Sequence, residues 1–324
     1  MAGMARDIDL PLLKLRKACP TGVATARQLV ELGCLERTVY KRCLDGGPWQ
    51  RILPGVVLLF TGKPTREQEV HAASLLCGPD AVITGIEACW MHGVRRGPVR
   101  DRKREVHVLV PSTRQVRSVD YVHVERTERL PLGMQRGAVR IAPLARACTD
   151  AVRRLRSPGE VTELLSDAVQ RGLCTIGRLG EELEASSRRG TAVPRRVLSE
   201  LAIGVRSAAE REARVLWRAS GLPEPLWNVP VYRADGRLLG IADCWLDDVA
   251  MVWEIESSEW HLAPSDHDRT VERAAAFTAA GAVYTATKPK RLRTDGRAVI
   301  ETLRATYRQA AQRPRPPLRV ERAA

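Results

Sequence analysis

The chain has 324 residues, 44% apolar and 28% charged, and its 52 Lys and Arg against 38 Asp and Glu give a formal charge of +14. Single cores seldom grow beyond about 250 residues, so two or three domains are expected, and the excess of positive charge suits a polyanionic partner, although an Arg-, Ala- and Gly-rich sequence equally reflects a high-GC genome. No stretch approaches the roughly 18 consecutive apolar residues of a membrane span, and the opening segment, with Asp7 and Asp9 ahead of an apolar patch broken by Lys14 and Arg16, lacks the core of a secretory signal.

A first helical stretch runs from Leu10 to Ala18. Thr25 is placed to cap a short amphipathic helix, AlaArgGlnLeuValGluLeu, which stops at Gly33. A further helix from Leu35 to Leu44 carries Leu35, Val39, Cys43 and Leu44 as its inward stripe and leaves Arg37, Thr38, Lys41 and Arg42 on other faces. AspGlyGly ends it, and two β-prone runs, Trp49 to Leu53 and Val56 to Phe60, pivot on Pro54 and Gly55. This order predicts a winged helix-turn-helix over residues 1–63. Its third helix would enter the major groove of double-stranded DNA and its hairpin would lie along the phosphates. Arg37, Thr38, Lys41 and Arg42 then read or position, and Gln50 and Arg51 serve the wing. A small helical subdomain with a solvated basic face is the alternative.

Residues 64–156 form a mixed α/β segment. Helices are expected from Thr65 to Cys77 and from Asp80 to Met91, strands over 105–110, 121–125 and 138–141, and a helix from about Pro143. His107 and His123 alternate with valines on strand faces; they fit either hydrogen-bonded strand histidines or metal ligands. Residues 157–206 are expected to be a helical linker, with helices from Pro158 to Ala185 and from Pro194 to Ile203 acting as a spacer.

Residues 207–311 have the texture of a further α/β domain. Ser207 and Glu210 make a capping-box pattern that would open a helix ended by Gly221 and Pro223. Strand-like AsnValProValTyr follows, then a turn at Asp235 and Gly236, then LeuLeuGlyIleAlaAspCysTrp and ValAlaMetValTrpGluIleGlu. Alternation puts Glu254 and Glu256 on one face, and antiparallel pairing through a turn at Asp247 and Asp248 brings Asp243 close to them. Converging carboxylates repel one another, so a hard divalent cation, Mg2+ or Mn2+, is a natural partner. Such an ion would activate water and neutralise a scissile phosphate. A wet strand end that binds nothing is the alternative. His261 would act as general acid or base, or as a phosphate donor. A helix from Ser265 to Ala280 and a strand AlaValTyrThrAlaThr complete the layer. Trp217, Trp227, Trp245, Trp253 and Trp260 fit packing roles. The basic tail, 312–324, is expected to be disordered. The eight cysteines are scattered, with no pair at zinc-site spacing, and read as free thiols of a cytoplasmic protein.

Two resemblances add to this reading. ThrAlaArgGlnLeuValGluLeuGly and TrpGlnArgIleLeuProGlyValVal resemble the winged-helix domain of AbiEi-type antitoxins of type IV toxin–antitoxin systems. That likeness covers roughly residues 10–155, most closely the first fifty. It implies promoter binding and a nucleotidyltransferase toxin as partner. Glu210, LeuGlyIleAlaAspCysTrp around Asp243, TrpGluIleGluSerSerGluTrpHis over 253–261 and AspArg at 268–269 resemble the very-short-patch-repair-like branch of the PD-(D/E)XK nucleases, found in many actinobacterial proteins. This implies metal binding by Asp243 and Glu254, while Glu210, Glu256 and His261 lie within the matching motifs. The superfamily usually has a lysine where this chain has Glu256. The expectation is an α+β and α/β multidomain DNA-binding protein: either a metal-dependent endonuclease, or a transcriptional regulator of the antitoxin kind with an inactive nuclease-like domain.

Overall fold

The computed structural model describes residues 12–98, 105–256 and 264–320. The chain divides into two compact units, Met1–Cys174 with Ser186–Pro194, and Thr175–Ala185 with Arg195–Ala324. Each combines helices with β-sheet, and no helix among the described residues is long and apolar enough to cross a membrane.

The first unit opens with α1 (Leu12–Ala18), β1 (Val23–Thr25), α2 (Ala26–Glu31), α3 (Glu36–Arg42), β2 (Gln50–Leu53) and β3 (Val56–Leu58). The strands make an antiparallel sheet of order β1-β3-β2. Thr25 caps α2 as its sequence signal predicts: its hydroxyl accepts the Gln28 N–H at 3.0 Å, and the Gln28 side-chain carbonyl accepts the Thr25 N–H at 2.8 Å. Gly33, at φ +102°, turns the chain towards α3 in a region that other residues enter at a cost. Leu15, Leu29, Val39, Trp49 and Val57 close a small core. Leu35 and Leu44 do not join it and are 49% and 48% exposed. The helix occupies only seven residues, so Leu35 falls at its N-cap and Leu44 beyond its last turn.

The same unit continues with α4 (Arg66–Cys77), β4 (Val82–Thr84), α5 (Gly85–Met91), β5 (Val106–Pro111), β6 (Val122–Thr127), β7 (Met134–Arg136), β8 (Val139–Ile141), α6 (Leu144–Val152) and α7 (Pro158–Gln170). Its five strands lie in the order β6-β5-β4-β8-β7, with β5–β6 and β4–β8 parallel. The helix expected from Asp80 begins only at Gly85. ValIleThr before it is β-branched throughout and forms the central strand, where all three residues are buried. The α7 segment, expected as spacer, is core: Val161, Leu164, Leu165 and Ala168 recur at helical spacing and are at most 1% exposed.

The second unit holds α8 (Ile176–Ala185), most of α9 (Ala192–Ser220), β9 (Leu226–Tyr232), β10 (Leu238–Leu246), β11 (Met251–Ile255), α10 (Pro264–Ala279), β12 (Val283–Thr287), α11 (Pro289–Thr294), α12 (Gly296–Ala311) and β13 (Arg319–Val320). No helix starts at Ser207. α9 runs unbroken for 29 residues, because a lone Gly204 costs only about 1 kcal/mol in a helix interior while Ala209, Ala213 and Trp217 continue a buried stripe.

The sheet order is β12-β11-β10-β9-β13, antiparallel except for the parallel β11–β12 pair. One face packs Cys244, Met251 and Trp253 against Trp217 of α9 and Leu303 of α12; the other packs Val231, Trp245 and Val252 against Phe277 of α10. Trp217 stacks on Trp253 with centroids 5.8 Å apart, so the expected packing role of these indoles holds.

The expected disordered tail is corrected as far as residue 320. β13 adds to the sheet beside β9, Leu318 is 4% exposed, and the Arg315 guanidinium donates to Asp247 at 2.7 Å. Arg313 and Arg315 have partners, which composition alone conceals. Deleting residues 313–324 should therefore destabilise the second unit by about 2–4 kcal/mol, the value of a buried leucine plus a part-exposed ion pair. Thermal unfolding of the full-length and shortened chains checks this, and equal midpoints would show the strand to be dispensable.

Candidate functional site

The sequence-predicted acids meet on β10 and β11. The pairs Cys244↔Trp253 and Trp245↔Val252 set the antiparallel register, and one step further along Asp243 lies across from Glu254. Each carboxylate is held by the other strand's backbone. Asp243 Oδ2 accepts the Ile255 N–H at 2.9 Å, and Glu254 Oε1 accepts the Asp243 N–H at 3.3 Å.

A slip in β-sheet alternation makes this reach possible. Ala242 and Trp245, three apart, face the same core, as Val229 does, whereas Cys244 and Trp227 pack on the opposite face. The irregularity falls at Asn228, whose φ is +52° and which lies between the register pairs Ala242↔Val229 and Cys244↔Trp227, opposite Asp243. Asp243 is thereby released from strict alternation and turns its side chain towards β11.

The remaining carboxylate oxygens face guanidinium groups. Arg273 of α10 places Nη2 2.8 Å from Glu254 Oε2, and Arg206 of α9 places Nη2 3.9 Å from Asp243 Oδ1. The Arg273 contact is an ion pair without hydrogen-bond alignment, for Glu254 Oε2 and Arg273 Nε are both buried with no hydrogen-bond partner. Gly240 makes room for this arginine: a Cβ there would stand 3.1 Å from the Arg273 stem. Glu254 is 1% exposed. Burial first, and then the charge of Asp243, push its pKa up to about 7 against the opposing pull of Arg273.

The other expected residues are less closely gathered. Glu210, one turn along α9, accepts from Arg206 Nε at 3.3 Å. Among the described residues, Asp243, Glu254 and Glu210 do not close into a set of three mutually adjacent ligand atoms; His107, His123 and Glu125 of the first unit do. Glu256 lies just past the end of β11, half-buried, and its N–H donates to Thr287 O at 3.0 Å. His261 and Trp260 lie outside the described residues. Arg206 and Arg273 were missed by sequence reasoning. Arg206 was visible only as an ordinary i,i+4 partner of Glu210, and Arg273 carried no signal.

In the first unit, Arg37 and Lys41 are exposed on α3 and Thr38 is half-buried. Arg42 lies over the Trp49 ring at 4.9 Å and Arg51 over the Tyr40 ring at 5.0 Å, so two of the expected contact residues tie α3 to the hairpin. The Gln50 amide donates to the carbonyls of Phe60 at 2.9 Å and Gly62 at 2.6 Å, which fixes the chain leaving β3.

No family model matches the chain. Two curated relatives from Mycobacterium tuberculosis, the uncharacterized proteins MT2308 (strain CDC 1551) and Rv2248 (strain H37Rv), are each 30% identical over 165 residues, 50% of this chain. The match spans 58% of those relatives' length. Among solved structures, the crystal structure of the RV2827C protein from Mycobacterium tuberculosis is 13% identical and covers 58% of this chain and 75% of that chain, with a TM-score of 0.39.

Because the folded state raises the Glu254 pKa from its ordinary 4.5 to about 7, stability is full below 4.5 and declines as pH rises through 7. Glu254→Gln removes the charge and keeps the shape. It should leave the unfolding midpoint nearly unchanged at pH 4 and raise it at pH 8.5, where the ionised form costs about 3 kcal/mol. A midpoint equal to wild type at pH 8.5 would mean that Arg273 fully compensates the charge.

Proposed function

We propose that this protein binds double-stranded DNA through its N-terminal segment and carries in its second unit a centre for divalent-metal-dependent DNA cleavage. The observation that carries the reading is the pair Asp243 and Glu254: two carboxylates on adjacent strands, held by each other's backbone, one of them with a buried oxygen that lacks a hydrogen bond. A structural carboxylate seldom leaves such an atom unsatisfied.

The residues fit a hard cation such as Mg2+ or Mn2+. The donors are all oxygens, and the two not engaged by backbone N–H groups already face positive charge. Asp243 and Glu254 would hold the ion, with Glu210 adjoining from α9. When bound, the ion supplies Lewis acidity and an activated water. Arg206, with a side chain 61% exposed, is free to swing towards solvent or a phosphate. Arg273 keeps part of the charge of Glu254 balanced from α10.

The N-terminal reading rests on the order helix, strand, two helices and hairpin, which is the winged helix-turn-helix layout, with Arg37 and Lys41 exposed on its third helix. A second reading is favoured by the two guanidinium groups themselves. They neutralise the acids without any metal, and Glu256 stands where a catalytic lysine is usual. On that reading the protein is a transcriptional regulator of the antitoxin kind, with a nucleotidyltransferase toxin as its partner.

One experiment separates the two. Purified protein is incubated with supercoiled and linear DNA, with and without Mg2+ or Mn2+, beside Asp243→Ala and Glu254→Ala. Cutting that requires metal and vanishes in both variants, with DNA binding retained, supports the nuclease. Binding without cutting by the wild type moves the conclusion to the regulator.

For the DNA contact, Arg37→Ala and Lys41→Ala should each weaken binding and lower the slope of log affinity against log salt by about one, as loss of a phosphate contact does. Unchanged affinity and slope in the double variant would remove α3 from the interface.

A further inference from the structure

The first unit contains a second constellation that the DNA reading does not use. β5 and β6 run parallel with His107 beside His123 and Leu109 beside Glu125. The period of two along each strand therefore puts both imidazoles and the Glu125 carboxylate on one face of adjacent strands. The rings meet edge to face with centroids 4.9 Å apart, and His107 Nε2 is 3.0 Å from Glu125 Oε2. One ligand atom from each of the three residues lies within 4.8 Å of the other two.

His107 is 6% exposed, and its Nδ1 is buried with no hydrogen-bond partner. Gly85, at the start of α5, lies beside that nitrogen, and a Cβ there would approach it to 3.3 Å. The ring is thus seated in a tight slot with one nitrogen directed at a carboxylate. His123 and Glu125 are half-buried, which leaves the cluster open to solvent on one side.

We infer that His107, His123 and Glu125 form a binding site for a borderline divalent transition ion of the Zn2+ class, with a solvent molecule as a further ligand. Two imidazole nitrogens and one carboxylate oxygen are the donor types that such ions select over Mg2+ or Ca2+. Bonds of about 2.0–2.1 Å in a tetrahedral shell place neighbouring ligand atoms about 3.3 Å apart. The His107–Glu125 pair already meets that spacing, so closure asks a shift of about an ångström or more from His123 on the edge strand.

The competitor for the site is Arg154. Its Nη1 donates to His123 Nε2 at 2.8 Å, while its Nη2 pairs with Glu105 at 2.7 Å. Arg153 stands 3.9 Å from the other Glu125 oxygen and 4.0 Å from Asp150. Arg154 and Glu105 have side chains 42% and 55% exposed, so the guanidinium can leave His123 and stay paired in solvent at little cost. Bound in this way, the ion would clip the edge strand β6 to β5.

The test uses the full-length chain, stripped with EDTA and desalted. Zn2+ is titrated against a chromophoric chelator, and Co2+ serves as a spectroscopic probe. One Zn2+ per chain is expected. His123→Ala and Glu125→Gln, checked by circular dichroism for native fold, should weaken binding by more than about tenfold. Arg154→Gln should tighten it several-fold, a gain that a purely structural role for Arg154 does not give, and Asp243→Ala should leave it unchanged. Binding unaltered in both ligand variants, loss of the ion in Asp243→Ala, or a Co2+ spectrum dominated by thiolate charge transfer would each overturn the assignment.

Discussion

The burial of Glu254 is the constraint around which the second unit is arranged. An isolated carboxylate at 1% exposure is strongly unfavourable, so the neighbouring elements answer it one by one. The β10 backbone donates an N–H, α10 brings the Arg273 guanidinium, and Gly240 omits a side chain so that the arginine stem can cross β10. Asp243 repays in kind by accepting the Ile255 N–H, which locks the register of β10 on β11 at the point where ordinary ladder pairing gives out. The compensation is incomplete, and the raised pKa of Glu254 measures what is left over. Replacing Glu254 alone with an apolar residue would leave Arg273 without its carboxylate, so the pair stands or falls together.

The first unit handles buried charge differently. Asp150, 2% exposed, accepts a hydrogen bond from Thr84 at 2.7 Å and two from Arg146 Nε at 2.8 and 3.0 Å. Glu87 accepts from Arg66 Nε at 2.7 Å. Their carboxylates are hydrogen-bonded by side chains where Glu254 keeps an orphan oxygen. Satisfied networks of this kind specify packing. Glu254, whose Oε2 meets Arg273 only as an ion pair, and His107, whose Nδ1 has no hydrogen-bond partner, depart from it, as does Thr149 Oγ1.

Much of the local structure was legible because it obeys local rules. The Thr25 cap, the helix opening near Thr65, the turn at Gly236 and the existence of strands β5, β6, β9, β10 and β11 all follow from a few adjacent residues. The antiparallel register that sets Asp243 across from Glu254 was legible too, from a turn at Asp247, whereas the slip at Asn228 that turns the Asp243 side chain towards β11 was not. What escaped was decided at a distance. A capping-box pattern at Ser207 means nothing when the helix already arrives from Ala192 with its apolar stripe intact. The β-branched run ValIleThr at 82–84 is too short to stand out beside the helix that follows, and pairing with two neighbouring strands makes it the centre of the sheet. Arg273 is one of many arginines in sequence, and only the three-dimensional packing of α10 on β10 sets it against Glu254. Likewise Glu125 joins His107 only through the parallel pairing of β5 and β6, a register that no local pattern announces.

The two proposed ion sites share a physical logic. In each, ligand atoms that suit a divalent cation are met by guanidinium groups: Arg206 and Arg273 at Asp243 and Glu254, and Arg154 at His123. A guanidinium carries one charge spread over a plane and cannot be deprotonated at physiological pH. It therefore stabilises the ligands without binding them tightly, and it leaves at little cost when its other contacts are solvent-facing, as those of Arg206 and Arg154 are. A divalent ion concentrates twice the charge at shorter range, so the exchange is favourable where the arginine is exposed and opposed where it is fixed. By that measure Arg206, with a side chain 61% exposed, is the most readily displaced, and Arg154 and Arg273, at 42% and 36%, follow. An ion at Asp243 would share Glu254 with Arg273, and an ion at the histidine site would share Glu125 with Arg153, whose side chain is 21% exposed.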